Sequence, residues 1–258
     1  MRSVILAVMI VAGCGGDPGV TVDAATGRDA ALAAALDAAP DAAAGPDLSC
    51  LGQPAPTGGG AMAIGGKVFA VDHYDVVPAV GAAVELRRTS DDGIVGQATA
   101  AGDGGFAIAA PGPVAGYFVV TATGHVPTRA FSDLPLTADD DALLLVADSA
   151  ELARWYGDAG TVHVAGARTV VTAVRDCARH TIAGSTVGIA PASGVVYYDQ
   201  PGKRWNPALA ASTNGFALAT STAASVTITP RHLAAVFPSE TVAALPDVLT
   251  LFVTSPYD

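Results

Sequence analysis

Asp103-Gly104-Gly105-Phe106-Ala107-Ile108 and Thr213-Asn214-Gly215-Phe216-Ala217-Leu218 are one phrase written twice in a single chain. Each reads as a tight Asp/Asn-Gly turn feeding a strand whose phenylalanine enters a core. A second matched pair precedes them: Val80-Gly81-Ala82-Ala83-Val84-Glu85-Leu86 and Ala183-Gly184-Ser185-Thr186-Val187-Gly188-Ile189. The glycine ahead of each strand permits a turn or bulge. Two related β-modules are therefore expected.

The surrounding residues keep a period of two. Ala82, Val84 and Leu86 share a face opposite Ala83, Glu85 and Arg87. Phe106, Ile108 and Ala110 repeat this, as do Phe118, Val120 and Ala122, while Leu143 to Val146 reads as a more fully buried strand. In the second half Val170 to Val174, Val187 with Ile189, Phe216 with Leu218, Val226 with Ile228, and Leu249, Leu251 and Val253 do the same. Alternation with turn residues every 8 to 12 positions or so indicates antiparallel sandwiches. The expected fold is all-β: two tandem antiparallel sandwiches, over 61–147 and 161–258.

The order of these motifs, ending in Tyr117-Phe118-Val119-Val120-Thr121-Ala122-Thr123-Gly124, resembles the carboxypeptidase regulatory-like, or prealbumin-like, β-sandwich family over about Ile64 to Ala147. The second half resembles it more loosely over about Thr161 to Asp258. It departs at Asn214-Gly215, which lacks the second glycine, and through an insertion from Val195 to Ala211. The resemblance implies an Ig/prealbumin-like fold and an accessory role in adhesion, spacing or domain packing. It speaks to fold far more than to function.

Residues 148–160 read as a short helical connector. Asp148 with Glu151 fits a capping box, Gly157 fits a stop, and Leu152, Trp155 and Tyr156 are expected to pack on a module.

Ahead of the modules, Met1-Arg2 and the apolar run Val4 to Val11 lead to Val11-Ala12-Gly13-Cys14. The run is too short to span a bilayer and fits the h-region of an export signal. The tetrapeptide resembles the lipobox of bacterial lipoproteins. That resemblance implies a signal peptide over 1–13, cleavage before Cys14, and acylation of Cys14, with several chains anchoring the protein to a membrane. Gly15 in place of Asp favours the outer over the inner membrane. Residues 14–60 are rich in Ala, Asp, Gly and Pro. Such a segment buries too little apolar surface to offset its ordering entropy, so a disordered, flexible linker is expected.

The formal net charge of −11 argues against a nucleic-acid partner, since phosphate neutralisation needs clustered cations. With Cys14 acylated, Cys50 and Cys177 remain. An exported protein can join them, and two separate thiols are equally compatible with the spacing.

Enzymatic motifs are missing: no Gly-x-Ser-x-Gly, no His-Glu-x-x-His, no P-loop and no Ser-x-x-Lys. No catalytic residue, metal ligand or cofactor is assigned. Lys67, in the first strand, is read as a surface residue. The insertion carries Tyr197, Tyr198, Asp199, Lys203, Arg204, Trp205 and Asn206. Tyr197, Tyr198 and Trp205 would suit a glycan- or peptide-binding platform, because aromatic faces stack and polar tips orient. The reading preferred for the same residues is a structural cover for a sheet edge, with one tyrosine inward, the other facing out and Trp205 pinning the loop. The expected function is non-catalytic: an envelope lipoprotein presenting two modules for structural or interaction roles, with an envelope protein or glycan as partner. Two alternatives stand beside it, the aromatic binding platform and a hydrolase whose site is assembled only by folding. The oligomeric state is not readable from the sequence.

Overall fold

The computed structural model describes residues 4–5, 45–57, 60–73, 75–137, 140–191, 195–200, 203–221 and 223–257. Cys14 and the expected cleavage site lie outside them. The strands are β1 (Val4–Ile5), β2 (Met62–Asp72), β3 (Asp75–Pro78), β4 (Ala83–Arg88), β5 (Ile94–Thr99), β6 (Gly105–Ala110), β7 (Gly116–Thr121), β8 (Thr128–Ser132) and β9 (Asp140–Ala147). Helix α1 (Ser149–Asp158) follows. The second half holds β10 (Arg168–Val174), β11 (Ser185–Ala190), β12 (Val196–Gln200), β13 (Lys203–Asn206), β14 (Phe216–Ser221), β15 (Ser225–His232), β16 (Ala235–Val236), β17 (Glu240–Ala243) and β18 (Leu249–Thr254).

The fold is all-β with antiparallel sandwiches, and the modules are joined more intimately than a tandem pair. One nine-stranded sheet runs through both, in the order β13-β12-β14-β10-β18-β8-β7-β4-β5. The seam is β18 of the second module lying parallel to β8 of the first, from Leu249 opposite Thr128 to Val253 opposite Ser132. A smaller sheet, β1-β9-β2-β3 with β6 beside the first half of β2, covers the first module's inner face. A third sheet, β11-β15-β16 with β17 also on β15, covers the second.

Register decides which core each side chain joins. Leu86, Phe118, Ala130, Leu251, Val171, Leu218 and Tyr197 form one cross-strand row over seven strands. All seven are buried in one cluster that also holds the first module's core. One residue along, Phe252, Ala217 and Tyr198 point to the opposite face and join a separate core against the third sheet. A step of one residue in a strand exchanges faces, so the shared sheet is buried on both sides where the second module lies.

Helix α1 packs into the first of these cores. Asp148 accepts a hydrogen bond from the Glu151 amide at 2.7 Å and caps the helix start, as the capping-box spacing predicts. Leu152, Trp155 and Tyr156 are all buried. The expected stop at Gly157 is displaced: the helix continues to Asp158, Ala159 caps it, and Gly160 follows with a positive φ.

The two halves agree at Gly81 and Gly184, both left-handed at φ of 77° and 76°. They differ at the Phe-bearing turn. The left-handed residue is Gly104 in the first module and Gly215 in the second, one position closer to the phenylalanine.

Candidate functional site

The insertion was the sequence's strongest binding candidate. It folds as β12 and β13 and extends the shared sheet past β14. Tyr197, Tyr198 and Trp205 are only 8%, 8% and 4% exposed. Tyr197 enters the first core and Tyr198 the second, because neighbouring residues of a strand face opposite ways. The Tyr198 hydroxyl accepts from the Val187 amide at 3.0 Å, tying β12 to β11 across the second sandwich. Trp205 meets Trp155 of α1 edge to face, with ring centres 6.1 Å apart. An exposed aromatic platform is therefore not formed. Both tyrosines point inward, where the structural reading expected one to face out, and Trp205 pins β13 to the helix.

A buried carboxylate organises the same region. Asp199 accepts from the Asn214 amide at 2.9 Å, the Asn214 side-chain nitrogen at 2.7 Å and the Phe216 amide at 3.1 Å. Burial pushes its pKa up, and these three donors work against that shift. In the first module the turn's own residue does this work: Asp103 accepts from the Gly105 amide at 3.0 Å and pairs with Lys67 at 3.3 Å. Lys67 is a partly exposed strand residue, as expected. Near α1, Glu151 is buried and accepts from the Trp155 indole nitrogen at 2.7 Å and the His73 amide at 3.1 Å, with Arg154 at 3.2 Å.

Cys50 and Cys177 are joined by a disulfide, with their Cα atoms 5.7 Å apart. The bond is one part of a larger contact. The Cys177 amide donates to the Asp47 carbonyl at 2.8 Å, and the Asp47 amide to the Asp176 carboxylate at 3.2 Å. The Gly52 amide reaches the Pro256 carbonyl at 3.3 Å. Residues 47–52 are thus fastened to the second module, just beyond the ends of β10 and β18. Residues 47–52 meet the second module there, ahead of the start of β2 at Met62. Composition marked these residues as linker; the docking depends on Asp176, Cys177 and Pro256, which are distant in sequence.

The seam carries a polar clasp that no local pattern announces. Asp133 follows β8, Ser255 follows β18, and the Asp133 carboxylate accepts from both the Ser255 amide and its hydroxyl, the latter at 2.9 Å. Burial raises the Asp133 pKa to about 6, and Glu240 adds to the rise.

On the outer face of β4, β7 and β8, Tyr117 stacks on Phe131 at 4.5 Å, and the Arg129 guanidinium lies 4.6 Å above the Tyr117 ring. Asp92 accepts from the Tyr117 hydroxyl, and Arg87 pairs with Glu85 at 2.7 Å and Asp92 at 3.2 Å. Among the described residues, His73 contacts Asp72 and His180 contacts Asp176, and both imidazoles are more than two-thirds exposed. Among the described residues no three His, Cys, Asp or Glu converge as a metal-binding set. No helix among them is long and apolar enough to cross a membrane.

No family model and no curated protein sequence matches the chain. Among solved structures, the shaft pilin SpaA from Lactobacillus rhamnosus GG is similar at 9% identity and a TM-score of 0.25, over 77% of this chain and 98% of that one. The Bacillus anthracis TIE protein is similar at 10% identity and a TM-score of 0.24, over 75% of this chain; the chain spans 34% of its length. A streptococcal ancillary pilin follows at 10% identity and 0.23, over 73% and 61%. At these values none of them bears on what the chain does.

Proposed function

We propose that the chain is a non-catalytic protein of the bacterial cell envelope: exported, acylated at Cys14, and carrying on a tether a two-module body for structural or interaction roles. Kinship with the carboxypeptidase regulatory-like modules, and placement at the outer membrane, belong to the same proposal. The observation that carries it is the disulfide-fastened mount. A lipobox-like tetrapeptide stands at the head of the segment that Cys50–Cys177 pins to the body, and a structural disulfide suits an oxidising compartment outside the cytosol. The shared sheet adds to this, since a body continuous through both modules holds a fixed shape at the end of a tether. A partner, protein or glycan, would have to use surfaces other than Tyr197, Tyr198 and Trp205, which are buried.

The test is metabolic labelling with an alkynyl fatty acid, followed by envelope fractionation and mass spectrometry of the N-terminus. Expected is a membrane-associated chain that begins at an acylated Cys14, with label and membrane association both lost in Cys14→Ala. A cytosolic, unlabelled chain that begins at Met1 refutes the proposal.

A further inference from the structure

The Cys50–Cys177 bond closes a loop with a sequence separation of 127, which contains the whole first module, helix α1 and strand β10. We propose that this bond is a mechanical bypass: tension arriving along the N-terminal segment enters the body at Cys177 and passes into β10, and the first module carries none of it. The proposal borrows from the proposed function only the idea that the N-terminal segment is a tether.

The covalent route is the first argument. Without the bond, a pull on the segment reaches the body at Met62, the start of β2, and the first module lies in series with everything after it. With the bond, the shortest covalent path from residue 50 to β10 crosses one sulfur–sulfur link and enters the strand through Asp176 and Arg175, and the residues of the first module lie off that path.

The strand that receives the pull is the second argument. Cys177 stands just past the end of β10, separated from Val174 by Arg175 and Asp176. On one side β10 is paired with antiparallel β14, from Arg168 opposite Ser221 to Ala173 opposite Phe216. On the other it is paired with parallel β18, from Thr169 opposite Leu249 to Val174 opposite Thr254. Ladder bonds run across the strands, so a pull along β10 shears both ladders at once instead of opening them one bond at a time. Val170, Val171, Ala173 and Val174 are buried as well, so sliding the strand also exposes core.

The third argument is the mount itself. Asp47, Cys50 and Gly52 each place a backbone group on the second module, at Asp176 and Cys177, at the Cys177 sulfur, and at Pro256. The segment is seated on both sides of the disulfide, as expected for a point where load is handed over.

The test is optical-tweezer pulling of the full chain. One handle sits ahead of Gly45 and the other in the exposed loop at Ala165, beyond the opposite end of β10. The handles replace any natural anchor, so the result is independent of whether Cys14 is acylated. In the oxidised chain the first module contributes no extension. After a dithiol reductant supplies two electrons and two protons and leaves two thiols, the path runs through the first module. Its opening then adds roughly 300 Å of chain. The Cys50→Ser, Cys177→Ser double variant is expected to behave like the reduced chain. Should that variant fail to fold, reducing a captured wild-type molecule makes the same comparison. An oxidised chain that shows the full added length overturns the proposal. So does a reduced chain that gives the oxidised trace.

Discussion

Asp133 and Ser255 meet across the seam between the modules, each one residue past a strand of the parallel β8–β18 pair. The carboxylate is held by two donors and still titrates near 6, because burial and the nearby Glu240 outweigh those donors. The consequence for stability has a definite sign. The folded pKa lies above the ordinary value of 3.8, so the folded state binds more protons than the unfolded state between those two pH values. Stability from this group is therefore highest below about pH 4 and falls as pH rises through about 6, by roughly 3 kcal/mol in all. Asp133→Asn keeps an acceptor for Ser255 and removes the ionisation. Urea unfolding at pH 5.0 and 7.5 is expected to show a smaller difference in the variant than in the wild type, chiefly through a gain at pH 7.5. An unchanged difference would reject this role for Asp133.

The seam also predicts how the molecule unfolds. Leu251 of β18 is buried in a row that includes Ala130, Phe118 and Leu86 of the first module. Truncating it to alanine removes packing from a core that spans both halves, at a cost of about 2–5 kcal/mol. Loss at the seam should reach across it. Hydrogen exchange at Val84 and Val120, in the first module, is expected to accelerate in Leu251→Ala along with exchange at Val171 in the second. Independent tandem sandwiches would leave the first pair unchanged.

Asp199 gives a contrast between removal and replacement. Asp199→Ala leaves the Asn214 amide, the Asn214 side chain and the Phe216 amide without their acceptor in a partly buried turn. At about 1–3 kcal/mol for each stranded donor, a loss of about 3–5 kcal/mol is expected after relaxation. Asp199→Asn keeps one acceptor oxygen and should lose less. Chemical denaturation of both variants measures the order. Equal losses would show that the side chain acts by packing alone.

Period-two alternation was enough to place the inward faces of β4, β6, β7, β14 and β15, because the face a strand buries is written in adjacent residues. The capping role of Asp148 was legible for the same reason, since cap and amide stand three residues apart. What escaped was long-range. Nothing near Leu249 says that its neighbour is Thr128, so two modules read separately concealed one sheet. Tyr197 and Tyr198 suggested a binding face because a polar insertion supplies no view of what lies on either side, and here there is a core on each. The shift of the left-handed glycine from Gly104 to Gly215 has a similar origin. In the second module the carboxylate that steadies the turn comes from Asp199, a strand away.

The mount is expected to loosen under reducing conditions. Closing a loop of this separation restricts the unfolded chain, and the chain-entropy model assigns that restriction up to about 5 kcal/mol. For a chain of this size each kcal/mol moves the melting temperature by about 2–4 °C, so reduction is expected to lower it by at most about 10–20 °C. Reduction also leaves residues 47–52 held by the hydrogen bonds of Asp47, Cys50 and Gly52 to Asp176, Cys177 and Pro256, and by whatever packing Leu48 keeps against the second core. Limited proteolysis should therefore cut between Ser49 and Thr57 in the reduced chain before any site within the strands, and spare that stretch in the oxidised one. A melting temperature insensitive to reductant, with no new cleavage between Ser49 and Thr57, would mean that residues 47–52 stay seated without the bond and that the covalent link contributes little to holding them.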